Sequence, residues 1–319
     1  SGGSINVTTQ VAEDEIIGDN VKASADTLLT STNVKLNGLV LNVDTGAGSA
    51  SGDVAVAVNN SPEANRKGLT ATLDLTSGVN VIANSDASKN AAASITATGQ
   101  GAKVILTGND VNTLLDNSKV GLGAYSNGTI EANSAVSADY ADFASGDGSS
   151  HTAGKVNFNG NGVFKAPTLT LNGNSTTENN TKLDIGAGTI NVNSLVLNDS
   201  NPAVNSATTL VSGNIDVTSS LRAQSDILNI SGAHVTLDTG ADETAGALSI
   251  NDLNITSGSF NVAQGEWNAT TSDITVNGGR LSVGTDTDSA SFTANRLTVG
   301  GEANTGVVVD DLGNVTLTA

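Results

Sequence analysis

The chain has 319 residues, of which 37% are hydrophobic, yet it holds one Trp, two Tyr and five Phe, so a core must be assembled from Val, Ile, Leu and Ala. Thirty-two acidic against 13 basic residues give a net charge of −19, which disfavours tracking nucleic-acid phosphates or an anionic membrane surface and leaves neutral polymers and divalent cations as easier partners. With no Cys in the chain, disulfides, thiolate metal sites and a Cys nucleophile are excluded.

Ser1-Gly2-Gly3-Ser4 has neither the basic nor the apolar part of a signal peptide, and no apolar run approaches the roughly 18 residues of a membrane span. The sequence therefore reads as an excised or processed segment without membrane insertion of its own. Apolar residues alternate with Asn, Thr, Ser and Asp nearly from end to end, which argues for strands rather than disorder.

In the first half the strand signals are short apolar pairs: Ile5 and Val7, Leu39 and Leu41, Val54 and Val56, Leu73 and Leu75, Val79 and Val81. Period-two spacing puts both members of a pair on one face. Their irregular spacing is interrupted by low-complexity stretches at 45–52, 59–68, 84–93 and 134–154, read as loops extruded from a stacked core. The last of these carries Asp139, Tyr140, Asp142 and Phe143 ahead of His151. Aromatic rings beside carboxylates can stack on sugars and accept their hydroxyls, so these four are the predicted ligand contacts; the alternative is that Tyr140 and Phe143 pin the loop to the core.

From residue 155 the pairs become regular. Leu169 and Leu171, Leu183 and Ile185, Ile190 and Val192, Leu195 and Leu197, and Ile215 and Val217 lead into a double-pair pattern. It reads Leu228-Asn229-Ile230 with Val235-Thr236-Leu237, Leu253-Asn254-Ile255 with Phe260-Asn261-Val262, and Ile274-Thr275-Val276 with Leu281-Ser282-Val283; Leu297-Thr298-Val299 opens the next unit. First pairs recur after 25 (255 − 230), 21 (276 − 255) and 23 (299 − 276) residues, the range of a solenoid coil with two or three strands. Ser231-Gly232, Ser257-Gly258, Gly278-Gly279 and Gly300-Gly301 supply corners that tolerate positive φ. Hairpins through Asn37-Gly38, Asn159-Gly160, Asn172-Gly173 and Asn277-Gly278 would instead give an antiparallel sandwich. The parallel recurrence of a double pair favours an all-β parallel β-helix, irregular over 1–154 and more regular over 155–319, as one continuous solenoid.

No chemistry stands out. Acidic clusters at Glu13-Asp14-Glu15, 238–243, 286–288 and Asp310-Asp311 offer calcium a weak foothold, but none matches an EF-hand or glycine-rich nonapeptide. His151 and His234 show no triad spacing, and Asp310 and Asp311 are a mere adjacent pair, so no catalytic, metal or cofactor residues are assigned. Thr-x-Thr units do not repeat coil by coil, and sequons such as Asn254-Ile255-Thr256 arise readily in so Asn- and Thr-rich a chain.

Leu169-Thr-Leu-Asn-Gly173, Leu248-Ser-Ile-Asn-Asp-Leu-Asn-Ile-Thr-Ser-Gly258 and Ile274-Thr-Val-Asn-Gly-Gly-Arg-Leu-Ser-Val283 resemble the passenger regions of large bacterial surface adhesins, both filamentous-haemagglutinin-like two-partner-secretion proteins and autotransporters. The resemblance implies a right-handed parallel β-helix with loop insertions in its N-terminal half, export to the cell surface across an outer membrane, and adhesion, aggregation or biofilm contact. The expected partner is a polysaccharide or another component of a host or bacterial surface, with self-association a further possibility and with no enzymatic activity. A structural surface-layer or fibre role is the alternative, and a polysaccharide lyase or hydrolase the distant third.

Overall fold

The computed structural model describes residues 3–8, 15–23, 27–29, 33–43, 52–59, 71–75, 79–83, 91–98, 102–106, 120–125, 127–133, 135–145, 156–159, 161–173, 180–198, 206–301, 303 and 305–318, with side chains placed for nearly all of these from Leu122 onward. They are almost wholly β-strand, and every described ladder is parallel. A hairpin sandwich would need antiparallel neighbours. The fold is thus a parallel β-solenoid, as the double-pair spacing predicts.

The contacts divide the chain into two compact units. The first comprises Ser1–Val136, Asp142–Ala166 and Gly186–Gly188. One of its ladders runs from Gly3–Thr8 through Gly52–Asn59, Ala91–Thr98 and Val120–Tyr125 to Val156–Asn159. A second joins Glu15–Ala23, Asn33–Val43, Ala71–Leu75, Ala102–Leu106, Thr129–Ala132 and the start of Val163–Asn172. Ladder partners here stand 39 residues apart (Val54 to Ala93), then 27 (Ala93 to Val120), then 34 (Leu122 to Val156). Corners can lengthen at little cost because loop-closure entropy grows only logarithmically, while the strands stay in register.

All four stretches read as loops overlap strand, the first two only at Gly52 and Asn59, the ends of Gly52–Asn59. Residues 91–93 open Ala91–Thr98, and the 134–154 stretch contains strands Val136–Asp139 and Phe143–Ser145 around a single 3-10 turn, Tyr140–Asp142. Phe143–Ser145 lies on the ladder beside Val156–Asn159, pairing Phe143 with Val156. The short residues that mimic a loop in this segment are those a narrow pleated interior accepts. The remainder of those stretches, at 45–51, 60–68, 84–90 and 146–154, lies outside the described residues.

The second unit comprises Ser137–Ala141, Pro167–Ile185 and Thr189–Ala319. It stacks six coils of triangular section, each contributing one short strand to three faces. On the first face Leu183, Leu210, Ile230 and Ile255 stack in turn, then Val276 and Val299. On the second, Ile190, Ile215, Val235, Phe260, Leu281 and Val307 follow one another. On the third the order is Leu195, Leu221, Leu248, and Gly246 lies beneath Trp267, Phe292 and Val315. The predicted 25- and 23-residue steps appear as the pairings Ile230 with Ile255 and Val276 with Val299.

The interior is made of the alternating partners: Leu183, Ile190, Leu210, Ile230, Val235, Ile255, Phe260 and Leu281 are all fully buried. Each such side chain withdrawn from water contributes about 1.5–3 kcal/mol. Corners between the first and second faces carry glycine in the left-handed region, Gly232, Gly258 and Gly278 among them. At Gly258, φ is +78° and a Cβ would run into the carbonyl oxygen of Ala233 one coil below. Only glycine permits that approach.

Candidate functional site

Two of the four predicted ligand contacts, the aromatics, are buried. Tyr140 and Phe143 are 6% and 2% exposed, whereas Asp139 and Asp142 are half-buried. The Phe143 ring meets Phe164 edge to face at 5.2 Å between centroids and lies 6.3 Å from Phe158. A sugar needs an open aromatic face, and neither ring offers one. Both aromatics therefore pin the segment to the core. The signal for this was in the sequence: Val136, Ala138 and Tyr140 alternate with polar residues and turn inward together.

The outer side of the first face in the second unit is the more distinctive surface. Asn229, Asn254 and Thr275 form one half-buried row, and Thr256 and Asn277 stand exposed beside it, while Ser231 pairs with Ser257 across a register shift. The row is tied from coil to coil: Asn254 Nδ2 donates to Asn229 Oδ1 at 3.2 Å, and Asn229 Nδ2 reaches Thr209 Oγ1 at 3.4 Å. Thr256 Oγ1 donates to the Ile230 carbonyl at 3.3 Å. These rows contain no ionisable group; the charges flank them, as in the exposed pair Arg296–Asp273. The result is a flat array of amides and hydroxyls repeating at the strand spacing of about 4.8 Å. Asn254, acceptor residue of a sequon, has its amide committed to this ladder.

The second face carries mixed polar chemistry. His234 Nδ1 and Ser259 Oγ are 3.0 Å apart, Asn261 Nδ2 donates to Ser259 Oγ at 3.1 Å, and Ser282 Oγ donates to Asn261 Oδ1 at 2.6 Å. Sequence spacing gave no hint of the His–Ser contact because it depends on the 25-residue coil. Ser259 is 9% exposed, and its hydroxyl is engaged from both sides, as a rung of the ladder. Asp216, half-buried on the same face, has its pKa raised: burial outweighs the hydrogen bond from Thr236, and the charge of Asp238 pushes the same way. His151 lies outside the described residues.

Two of the acidic clusters, 238–243 and 286–288, meet at the corner between the second and third faces. Gln264 donates its amide protons to Asp242 Oδ1 at 3.0 Å and to Asp288 Oδ1 at 3.2 Å, one coil to either side. Asp288 also accepts from Thr285 and Thr287, while Asp238 accepts from the Gly240 N–H. Asp242 is held below the ordinary carboxylate range, first by Gln264 and then by the Ser289 N–H. Asp310 accepts from the backbone N–H of Asp311 within a turn. These carboxylates are occupied by protein donors, and among the described residues no three His, Asp or Glu side chains converge in a way that could hold a metal ion. Glu13 and Asp14 are outside the described residues.

No protein family, curated protein or solved structure matches the chain.

Proposed function

We propose that the chain is an adhesive segment of a bacterial surface protein, exposed outside the cell, that contacts polysaccharide through the uncharged amide and hydroxyl rows of the first face. The observation that carries this reading is the hydrogen-bonded row of Asn229 and Asn254 with Thr275, beside exposed Thr256 and Asn277. Amides and hydroxyls can exchange hydrogen bonds with sugar hydroxyls in both directions. A rigid sheet holds them at fixed spacing, so little conformational entropy is lost when a long polymer lies across several coils. Repetition then gives avidity: weak contacts on successive coils add along one chain. The net charge of −19 favours neutral over acidic polymers.

A glycan array that includes neutral and acidic bacterial polysaccharides tests the reading. Retention of a neutral glycan, abolished by Thr256→Arg with Asn277→Arg and kept by Thr236→Arg on the second face, is the expected result. Retention unchanged by the paired first-face substitutions, or no retention of any glycan, would overturn it.

A further inference from the structure

The second face of the second unit carries two basic side chains whose outer donors the fold leaves unused. The column nearest the first-face corner reads, coil by coil, Thr189, Asn214, His234, Ser259, Arg280 and Gly306. In a chain of net charge −19 this column has no acidic member, and it sets two basic residues two coils apart. His234 and Arg280 are both exposed. Arg296 is paired with Asp273, whereas Arg280 forms no ion pair among the described residues.

Ser259 stands between the two, one coil from each. Its Oγ lies 3.0 Å from His234 Nδ1 and accepts from Asn261 Nδ2 at 3.1 Å. Nε2, on the far side of the imidazole, has no partner among the described residues. Once the ring holds both protons, Nδ1–H donates to Ser259 Oγ, and the serine's own proton is left to donate elsewhere. Arg280 adds a planar fork of donors from the other side. Two coil steps separate the backbones of His234 and Arg280 by about 10 Å, room for one small anionic group between their side chains. The adjoining column of Thr236, Asn261 and Ser282 is all hydroxyl and amide.

We infer that His234, Ser259 and Arg280 form an acid-gated subsite for one carboxylate on a hydroxyl-bearing carrier, the chemistry of a uronic acid unit. A carboxylate matches the guanidinium fork bidentately. It also carries a single charge, whereas a doubly charged phosphate is disfavoured by Asp216 and Asp238 on the same face. The hydroxyls of the carrier meet Thr236 and Asn261. A histidine ordinarily takes its second proton in mildly acid solution, so the site is complete there and loses a positive charge at higher pH. The charged groups facing His234 are Arg280 along its column and Asp216 and Asp238 beside it. Asp216 accepts from Thr236 and Asp238 from the Gly240 N–H. Repulsion from more distant carboxylates is screened beyond about 8 Å at physiological salt. The subsite lies on a different face from the amide row and does not rest on the neutral-glycan reading.

Nuclear magnetic resonance of the imidazole protons tests this in the 319-residue chain, whose two histidines are told apart with His234→Gln. Galacturonic acid, ionised throughout, is expected to shift the His234 resonances saturably at about pH 5.5 and to bind at least about tenfold more weakly near pH 8. Galactose should leave them in place. Arg280→Gln should weaken the acid-pH binding at least about tenfold, the loss of a charged hydrogen bond. Saturation transfer to the sugar reads binding in His234→Gln, where it should no longer differ between the two pH values. Equal binding by the natural chain at both pH values, or binding untouched by Arg280→Gln, would overturn the inference. Tighter binding of inorganic phosphate would overturn the carboxylate, equally tight binding of acetate the sugar carrier, and a matching response to galactose the charged site.

Discussion

The backbone N–H of Ser289 donates to Asp242 Oδ1 over 2.8 Å, although 47 positions separate the two residues. Most hydrogen bonds in the second unit join neighbouring coils; this one spans two, with Gln264 of the intervening coil bonded to the same oxygen. Asp242 is therefore a strut across three coils. Its depressed pKa fixes the pH behaviour. The stabilisation is fully present above the ordinary value of 3.8 and is lost as pH falls through the lower folded value. Asp242→Asn should lower the thermal midpoint at neutral pH, and its deficit against the natural chain should shrink on acidification. An unchanged midpoint at neutral pH would remove the strut.

Asp216 has the opposite sign. Its folded pKa lies above the ordinary 3.8 because burial disfavours the carboxylate. The folded state then binds the proton more readily, so this group's contribution is most favourable below 3.8 and declines as pH rises through the folded value. Asp216→Asn keeps a partner for Thr236 and removes the buried charge. Greater stability at neutral pH, converging with the natural chain in acid, is the expected denaturation profile.

Two corner glycines give a paired prediction. Gly258 has positive φ and faces the Ala233 carbonyl, whereas a Cβ at Gly301 would meet nothing within 4 Å. Gly258→Ala should cost about 1–3 kcal/mol from backbone conformation alone, with the clash in addition. Gly301→Ala should change stability by less than about 0.5 kcal/mol. Chemical denaturation of the two variants measures both; equal effects would contradict the corner geometry.

Trp267 is the sole Trp and is fully buried, its indole N–H donating to the Gln264 carbonyl at 3.0 Å. The ring fills the space above Gly246, where a Cβ would stand 2.5 Å from it. Gly246→Ala should overpack this site by about 1–3 kcal/mol, and Trp267→Ala should cost about 3–5 kcal/mol by leaving a cavity. Intrinsic fluorescence follows the first directly: emission should be blue-shifted in the folded natural chain and move toward the red in Gly246→Ala. Identical spectra would show that the glycine is not needed for the indole.

The first two faces of the second unit were legible because their inward residues come as clean pairs, such as Leu253 with Ile255 and Phe260 with Val262. The third face was legible only at its start, where Leu195 pairs with Leu197. Further along, Ala245–Ser249 and residues 290–294 set Ala, Gly and Ser beside a single bulky residue, so Trp267 and Phe292 fill the width that paired aliphatics fill elsewhere. Asp139, Tyr140, Asp142 and Phe143 read as ligand contacts because aromatics stand beside carboxylates in a low-complexity stretch. The period-two run Val136, Ala138, Tyr140 was the stronger signal. The contact of Asp242 with Gln264 could not be read at all, since it depends on corner length one coil away.

The coil period also bears on how the second unit folds. Ladder partners lie 20 residues apart at Leu210 and Ile230 and 25 at Ile230 and Ile255, so each new coil needs one loop closure of nearly constant entropy. Contact order stays low despite an all-parallel sheet, and a completed coil is a template for the next. Folding should thus advance as a front along the chain, and a destabilised coil, at Gly258 for example, would stall that front locally instead of abolishing the structure behind it.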